Sequence, residues 1–224
     1  SAPADVGTQH QDGAFTEAVT AFRYDDRAAP VNLARFGLPD FKTFELLTQD
    51  APLGGDSEGV QLAFFSGEGT RLMGYLEHDA WFEEQTLEVI RRSWRALRTH
   101  RQAFTAEAPQ PLVETALEGL LANAFPAAEE RVWTLYNDSG AALSGVGLLA
   151  DAIPGDSWWD CWNDAPLSPV ERDGFAQIEV GLAPGGVGCV AQLLPERAAP
   201  ALVARWAMDD EVVIDAVSGA EGSA

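Results

Sequence analysis

Residues 70–104, TRLMGYLEHDAWFEEQTLEVIRRSWRALRTHRQAF, decide how the first half of this chain is read. TRLMGYL has the apolar run of a short buried strand, EHDAWF is a polar loop after it, and EEQTLEVIRRSWRALRTHRQAF is a long amphipathic helix. On the helix Leu87, Ile90, Trp94, Leu97 and Phe104 follow at steps of three, four, three and seven, one stripe at the 3.6-residue period. Such a stripe has to lie against something. Glu83, Glu84 and Glu88 stand near the helix start and Arg95, Arg98, His100 and Arg101 near its end, each sign where the backbone dipole favours it. The unit is strand, loop, helix, and its loop carries Glu77, His78, Asp79 and Trp81.

Upstream, LPDFKTFELL reads as another strand, with Phe41, Phe44, Leu46 and Leu47 as its apolar content. A turn-rich connection, TQDAPLGGDSEG, leads to VQLAFFSGEG, a short helix ended by glycine. This βαβα order predicts a parallel sheet with helices outside it. Two strands do not make a sheet, so earlier strands are expected to belong with this piece. Residues 15–38 read as irregular, with Tyr24, Asp25, Asp26, Arg27 and Pro30 as loop, and residues 1–13 have the polar, unpatterned composition of a frayed end.

Downstream the pattern changes. Residues 105–126 form a seam in which Pro109, Pro111 and Pro126 bracket LVETALEGLLANAF. Beyond it come short β-rich runs at 132–137, 143–150, 158–162, 175–182 and 187–194, divided by Asp138-Ser139-Gly140, Pro154-Gly155-Asp156, Asp173-Gly174 and Pro184-Gly185-Gly186. Ala176, Ile178, Val180 and Leu182 alternate with Gln177, Glu179 and Gly181, the signature of a strand buried on one face. Strands at this spacing with no helix between them predict an antiparallel sandwich. The fold class expected is α/β followed by all-β. Its divisions are 1–110 for the α/β units, 111–195 for the sandwich, and 196–224 for a linker and the start of a further β domain.

Composition narrows the function. The chain has 224 residues, 46% of them hydrophobic, enough for a real core. Thirty-five acidic against 14 basic residues give a net charge of −21, which argues against nucleic-acid and anionic-membrane partners and favours a neutral one. Lys42 is the single lysine, and the arginines from Arg91 to Arg101 read as a solvated helix face shared with glutamates. No apolar run is long enough to span a membrane. The sequence begins SAPADVG, without an initiator Met or a signal peptide, and is read as an excerpt or mature piece of something longer. Cys161 and Cys189 both fall in predicted strands, either as a cross-sheet pair or as two buried thiols.

The short motifs are mostly negative. Gly145-Val146-Gly147 and Gly186-Val187-Gly188 begin relaxed dinucleotide fingerprints, but neither opens a helix after a buried strand. Phosphate-loop and HExxH patterns do not occur, no EF-hand-like spacing suggests calcium, and no cofactor or metal is expected. Glu77, His78 and Asp79 are the densest reactive set. On an extended segment Glu77 and Asp79 converge while His78 faces away. Asp50 and Glu45 are the analogous carboxylates on the preceding strand, and two carboxylates flanking a glycosidic bond would act by direct displacement or through a covalent intermediate, according to their separation. Trp158 and Trp159 suit either a sandwich core or a platform for sugar rings. In one strand they point to opposite faces, so one is expected to be exposed. Asn137-Asp138-Ser139 fits a glycosylation acceptor, though the turn alone also explains it.

Taken together, LAFFSGEG, YLEHDAWF, TLEVIRRSWRALRTHRQAF, RVWTLYNDSG, IPGDSWWDCWND and VGLAPGGVGCVAQL resemble the C-terminal part of bacterial glycoside-hydrolase-like proteins. In those proteins the last β/α units of a TIM barrel are followed by a β-sandwich. The resemblance, over residues 36–194, implies that Glu77 and Trp81 lie at the end of the last barrel strand, facing a sugar cleft. It implies a carbohydrate-acting hydrolase, secreted or periplasmic, with Glu77 and Asp50 as catalytic candidates. Asp79, Trp81, Glu45, Trp158 and Trp159 are the substrate-binding candidates. Such barrels usually take their acid and nucleophile from earlier strands, so the catalytic pair itself is expected outside this chain. ALVARWAMDDEVVIDAVSG resembles the first strands of a concanavalin-like sugar-binding domain. The alternatives are a non-catalytic carbohydrate-binding module that works through the sandwich tryptophans, and a structural spacer.

Overall fold

The structure, a computed structural model, describes residues 20–23, 30–37, 42–48, 57–73, 83–195, 212–214 and 221–223. Its first half is built around three strands, β1 (Thr20–Arg23), β2 (Lys42–Thr48) and β3 (Gly69–Met73). They lie side by side in chain order and are parallel throughout. The helix α1 (Leu33–Gly37) falls between β1 and β2, and α2 (Ser57–Phe65) between β2 and β3. After β3 come α3 (Glu84–Thr99) and the short α4 (Arg101–Phe104). The expected parallel sheet is present. Its third strand and α1 arise from the stretch read as irregular, because four- and five-residue elements are too short to show a period.

The sandwich contains a five-stranded antiparallel sheet in the order β4 (Leu120–Pro126), β5 (Glu130–Asn137), β11 (Val187–Leu193), β7 (Ser157–Asp160) and β8 (Ala165–Leu167). A second antiparallel sheet packs on it, in the order β6 (Leu143–Asp151), β10 (Phe175–Leu182) and β9 (Val170–Arg172). β12 (Val212–Ile214) pairs with β13 (Glu221–Ser223) in a separate two-stranded antiparallel sheet. β4 lies inside the proline-bracketed stretch read as a seam. Both its faces are covered, so it lacks the polar alternation that marks a half-buried strand. β10 does have that alternation, with Ala176 and Ile178 buried and Glu179 and Gly181 exposed.

Two glycines show why the chain turns where it does. α2 ends in a Schellman motif: Gly67 N donates to Phe64 O at 2.8 Å, Glu68 N to Ala63 O at 2.9 Å, and Gly67 has φ +71°. A Cβ at Gly67 would stand 2.7 Å from the Phe125 ring, so the glycine stop also lets α2 approach β4. Gly147 is the extra residue of a β-bulge where the β10–β6 register slips from Ile178↔Leu148 to Glu179↔Val146. A Cβ there would meet Val180 Cγ2 at 2.5 Å and Leu120 Cδ2 at 2.8 Å. The fingerprint-like Gly145-Val146-Gly147 is therefore a bulged strand, and Val187-Gly188 opens β11 rather than a helix.

α2 packs against β2 and β3 on one side and β5 and β11 on the other. The molecule is thus layered: parallel sheet, helices, five-stranded sheet, three-stranded sheet. The five-stranded sheet is buried on both faces. Leu120, Ala122, Leu135, Trp158 and Val190 face the three-stranded sheet and meet Leu148, Ala150, Ala176 and Ile178. Phe125, Val132, Tyr136, Val187, Cys189 and Ala191 face the helices and meet Leu62, Phe64, Phe65, Ala96, Ala103 and Phe104. Phe125 sits at the centre of this second cluster, its ring 4.9 Å from that of Phe104 and 5.8 Å from that of Phe36.

Candidate functional site

Glu77, Asp50, Asp79 and Trp81 lie outside the described residues. Glu45 is on the central parallel strand β2, 7% exposed, with Arg23 of β1 and Thr70 of β3 beside it in register. The tryptophan pair divides between the two faces of β7, as consecutive strand residues must. Trp158 is 6% exposed and stacks on Trp133 at 5.9 Å and 19° inside the sandwich, which leaves it no face for a sugar ring. Trp159 is half-buried against the helix-facing core, and its Nε1 donates to Asp164 Oδ1 at 3.2 Å. The Asn137 side chain is 1% exposed, and its Nδ2 donates to the carbonyls of Ala141, Leu182 and Ala183, so the amide nitrogen a glycan would need is engaged in the turn.

A groove of about 340 Å³ opens where the hairpin loop after β7 approaches the β10–β11 turn. Asp160, Trp162 and Asn163 form one wall, Glu179 to Leu182 another, and Val187 to Val190 the floor, with Gln61 of α2 at the rim. The first wall is pre-built. Asp160 Oδ1 accepts from Asn163 N at 2.9 Å and Oδ2 from Asn163 Nδ2 at 2.7 Å, while Asn163 Oδ1 accepts from Arg92 Nη1 at 2.9 Å. The Trp162 ring packs on Phe64 at 5.0 Å, and its carbonyl accepts from Arg95 Nη2 at 2.9 Å. A carboxylate can accept about four hydrogen bonds, so Asp160 retains acceptor capacity toward a ligand. Two carboxylates, an amide and an indole suit a small polyhydroxylated ligand.

Beneath this loop lies a second, closed cluster. α3 buries Thr86, Val89, Ile90, Ser93 and Ala96, and the same helical stripe continues to His100. His100 Nδ1 is 2.6 Å from Glu130 Oε2, the ring adjoins the Cys161 thiol and Cys161 adjoins Cys189, while Cys161 Sγ donates to Trp159 O at 3.7 Å. All four residues are buried. Burial works to lower the His100 pKa, but the hydrogen bonds to Cys161 and Glu130 and their negative charge outweigh it and raise it to about 9. Burial likewise works to raise Cys161, yet the hydrogen bonds with Cys189 and His100 bring it down to about 7. Cys189 is pushed well up, first by burial and then by its neighbour Cys161. The two cysteines are free thiols. Among the described residues no group of three or more His, Cys, Asp or Glu is arranged to hold a metal ion.

The groove residues were visible in sequence only as the run DCWND, with no periodicity to separate wall from core. His100 had a usable signal. The stripe read from Leu87 to Phe104 takes one step of seven, and His100 fills the gap between Leu97 and Phe104.

No known protein family matches the sequence, and no curated protein matches it. Glycoside hydrolases are among the solved structures to which part of the chain is similar. One is an alpha-amylase from Anoxybacillus, 11% identical over 70% of this chain and 39% of that one, with TM-score 0.46. Another is alpha-galactosidase I from Mortierella vinacea, at 13% identity, 68% and 40% coverage and TM-score 0.43. A third is a β-L-arabinopyranosidase from Geobacillus stearothermophilus, at 13% identity, 73% and 39% coverage and TM-score 0.45. The chain spans about two fifths of the length of each. Among the described residues no helix is long and apolar enough to cross a membrane.

Proposed function

We propose that this chain is the C-terminal part of a glycoside-hydrolase-like protein acting on carbohydrate, its first half the last β/α units of an α/β barrel and its sandwich a brace. The observation that carries this reading is the order of the parallel sheet: β1, β2 and β3 are neighbours in chain order, with helices between and after them. Successive units of an α/β barrel have that order, and their chemistry sits in the loops after the strands. On this reading Asp50 follows β2, and Glu77, Asp79 and Trp81 follow β3. Parallel strands point one way, so β2 and β3 end on the same side of the sheet, and this reading assigns the cleft to that side, with Glu45 within the sheet. An extracellular or periplasmic location goes with this reading.

The test is to express the chain together with whatever its gene encodes upstream and assay a panel of 4-nitrophenyl glycosides. Hydrolysis of at least one, lowered tenfold or more in kcat/KM by Glu77→Gln or Asp50→Asn, is the expected result. Turnover indifferent to both substitutions contradicts the assignment of these residues.

The groove favours a second reading, a non-catalytic carbohydrate-binding module. Its site is then Asp160, Trp162, Asn163 and Glu179 rather than the tryptophan pair of β7. Affinity electrophoresis of this chain on plant and microbial glycans separates the two readings. Retention abolished by Asn163→Ala or Glu179→Gln supports the binding module, and free migration in every glycan removes it.

A further inference from the structure

The buried thiols face each other in a way that neither reading uses. β11 and β7 pair with Val190 opposite Asp160, and one step further along the same register sets Cys189 opposite Cys161. Cys161 N, just past the end of β7, donates to Cys189 O at 2.8 Å, one of the two backbone bonds of a hydrogen-bonded cross-strand pair. In such a pair the Cα atoms stand about 5.5 Å apart, inside the range of roughly 4.4 to 6.8 Å that a disulfide spans. Both side chains are on the helix-facing side of the sheet, in side-chain contact with each other. His100 adjoins Cys161, and Glu130 stands behind His100 at 2.6 Å, the order of a thiol, a base and the group that orients the base.

We propose that Cys161 and Cys189 are a peroxide-oxidisable pair that closes into a cross-strand disulfide in the folded protein, with Cys161 as the sulfur attacked first and His100 as its base. His100 takes the Cys161 proton. The thiolate attacks one oxygen of hydrogen peroxide, the O–O bond breaks, and the hydroxide released takes the proton back from His100 as water. Cys161 is then a sulfenic acid. The Cys189 sulfur attacks it, the S–S bond forms, the S–O bond breaks, and the Cys189 proton leaves with that oxygen as a second water. Two thiols have lost two electrons and one peroxide has gained them.

Position assigns the roles. The charged and titratable groups facing Cys161 are His100 and Cys189, with Asp160 and Glu130 beyond them. Of these only His100 stabilises the thiolate by charge. Cys189, pushed the other way by burial, stays protonated and resolves. A small oxidant suits a closed core, and the groove brings solvent to the floor that Cys189 helps to form.

The experiment exposes the folded, reduced chain to excess hydrogen peroxide, quenches in denaturant with an alkylating reagent, and follows intact mass with time at several pH values. The expected product has lost two hydrogens, takes up no alkyl group, and yields a peptide cross-linked between Cys161 and Cys189. Its rate rises with pH through a midpoint near 7, and His100→Asn slows it roughly tenfold or more at neutral pH. Persistence of two alkylatable thiols, over-oxidation of Cys161 with Cys189 still alkylated, or a covalent dimer overturns the pairing. A midpoint at 9 or above in the unsubstituted chain overturns the part given to His100, and needs no variant to fold.

Discussion

The two faces of the five-stranded sheet are both buried, yet they hold their neighbours by different means. The face toward the three-stranded sheet is an apolar interleaving of Leu120, Ala122, Leu135, Trp158 and Val190 with Leu148, Ala150, Ala176 and Ile178. The face toward the helices mixes Phe125, Val132 and Ala191 with Asn123, Glu130, Thr134 and the two cysteines. Its polar groups meet partners across the boundary. Thr134 Oγ1 donates to Phe65 O at 2.5 Å and Asn123 Nδ2 donates to the same oxygen at 2.7 Å, capping a carbonyl that the end of α2 leaves without a helical partner. Arg35 Nη2 donates to Phe104 O at 2.6 Å, which ties α1 to the end of α4. Apolar packing tolerates small slides. Directional bonds to one carbonyl fix a register, and this is how a sheet can hold helices in a single pose.

The largest expected effect tests whether the helix face is nonetheless a true core. Phe125→Ala empties a site fully enclosed by Phe36, Phe104 and Gly67 and should cost about 3–5 kcal/mol in urea unfolding. Ile178→Val, on the other face, should cost only about 0.5–1.5 kcal/mol. Equal and small losses would mean that the helices are loosely attached.

Next in size is the polar key. Asn123→Ala and Thr134→Val should each cost about 1–3 kcal/mol, because each strips a buried carbonyl of one donor. The double variant should fall short of or exceed the sum by more than about 0.5 kcal/mol, since both bonds end on one oxygen. Strict additivity would show that Phe65 O is not shared.

The pH dependence is a smaller effect with a definite sign. His100 is raised to about 9, so its contribution is complete below its ordinary 6.5 and is lost as pH rises through 9. Cys161 is depressed from 9 to about 7, so its contribution is complete above 9 and lost as pH falls through 7. Between 7 and 9 the two oppose each other. Cys161→Ser removes the second and, with it, the neighbour that raises His100 most, so any decline of that variant's urea midpoint with rising pH should be complete well below pH 9. A decline in the variant that still runs to pH 9 would detach the His100 shift from Cys161.

At the small end is the exposed ion pair of Arg92 with Glu88, 2.7 Å apart one helical turn away. Arg92→Ala should leave the urea midpoint nearly unchanged, since solvent screens such pairs. A large loss would locate the hold of α3 at Asn163 rather than in the core.

The sequence disclosed these regions unequally, and for physical reasons. β10 was readable because one face is wet, so its residues alternate. The glycine stop after VQLAFF was readable because Gly67 must adopt a positive φ. The antiparallel sandwich followed from the spacing of its turns. β4 was not readable, since a strand covered on both faces and flanked by prolines loses its alternation. His100 reads in sequence as a cation complementing the helix end, although it also falls on the apolar stripe. The cysteine pairing depends on register, which local pattern does not carry: Cys161 stands opposite Cys189 only because the hairpin loop begins at that residue. Trp158 and Trp159 were rightly divided between two faces, but both faces turned out to be covered.

The central claim is that helices and sandwich are one cooperative body joined through the polar face of the five-stranded sheet. Native-state amide hydrogen exchange across a series of low urea concentrations, read peptide by peptide by mass spectrometry, tests it most directly. The account predicts that peptides from α2 and α4 share one opening free energy and one urea slope with those from β5 and β11. Helix peptides that open at much lower free energy, while the sandwich stays protected, would contradict it.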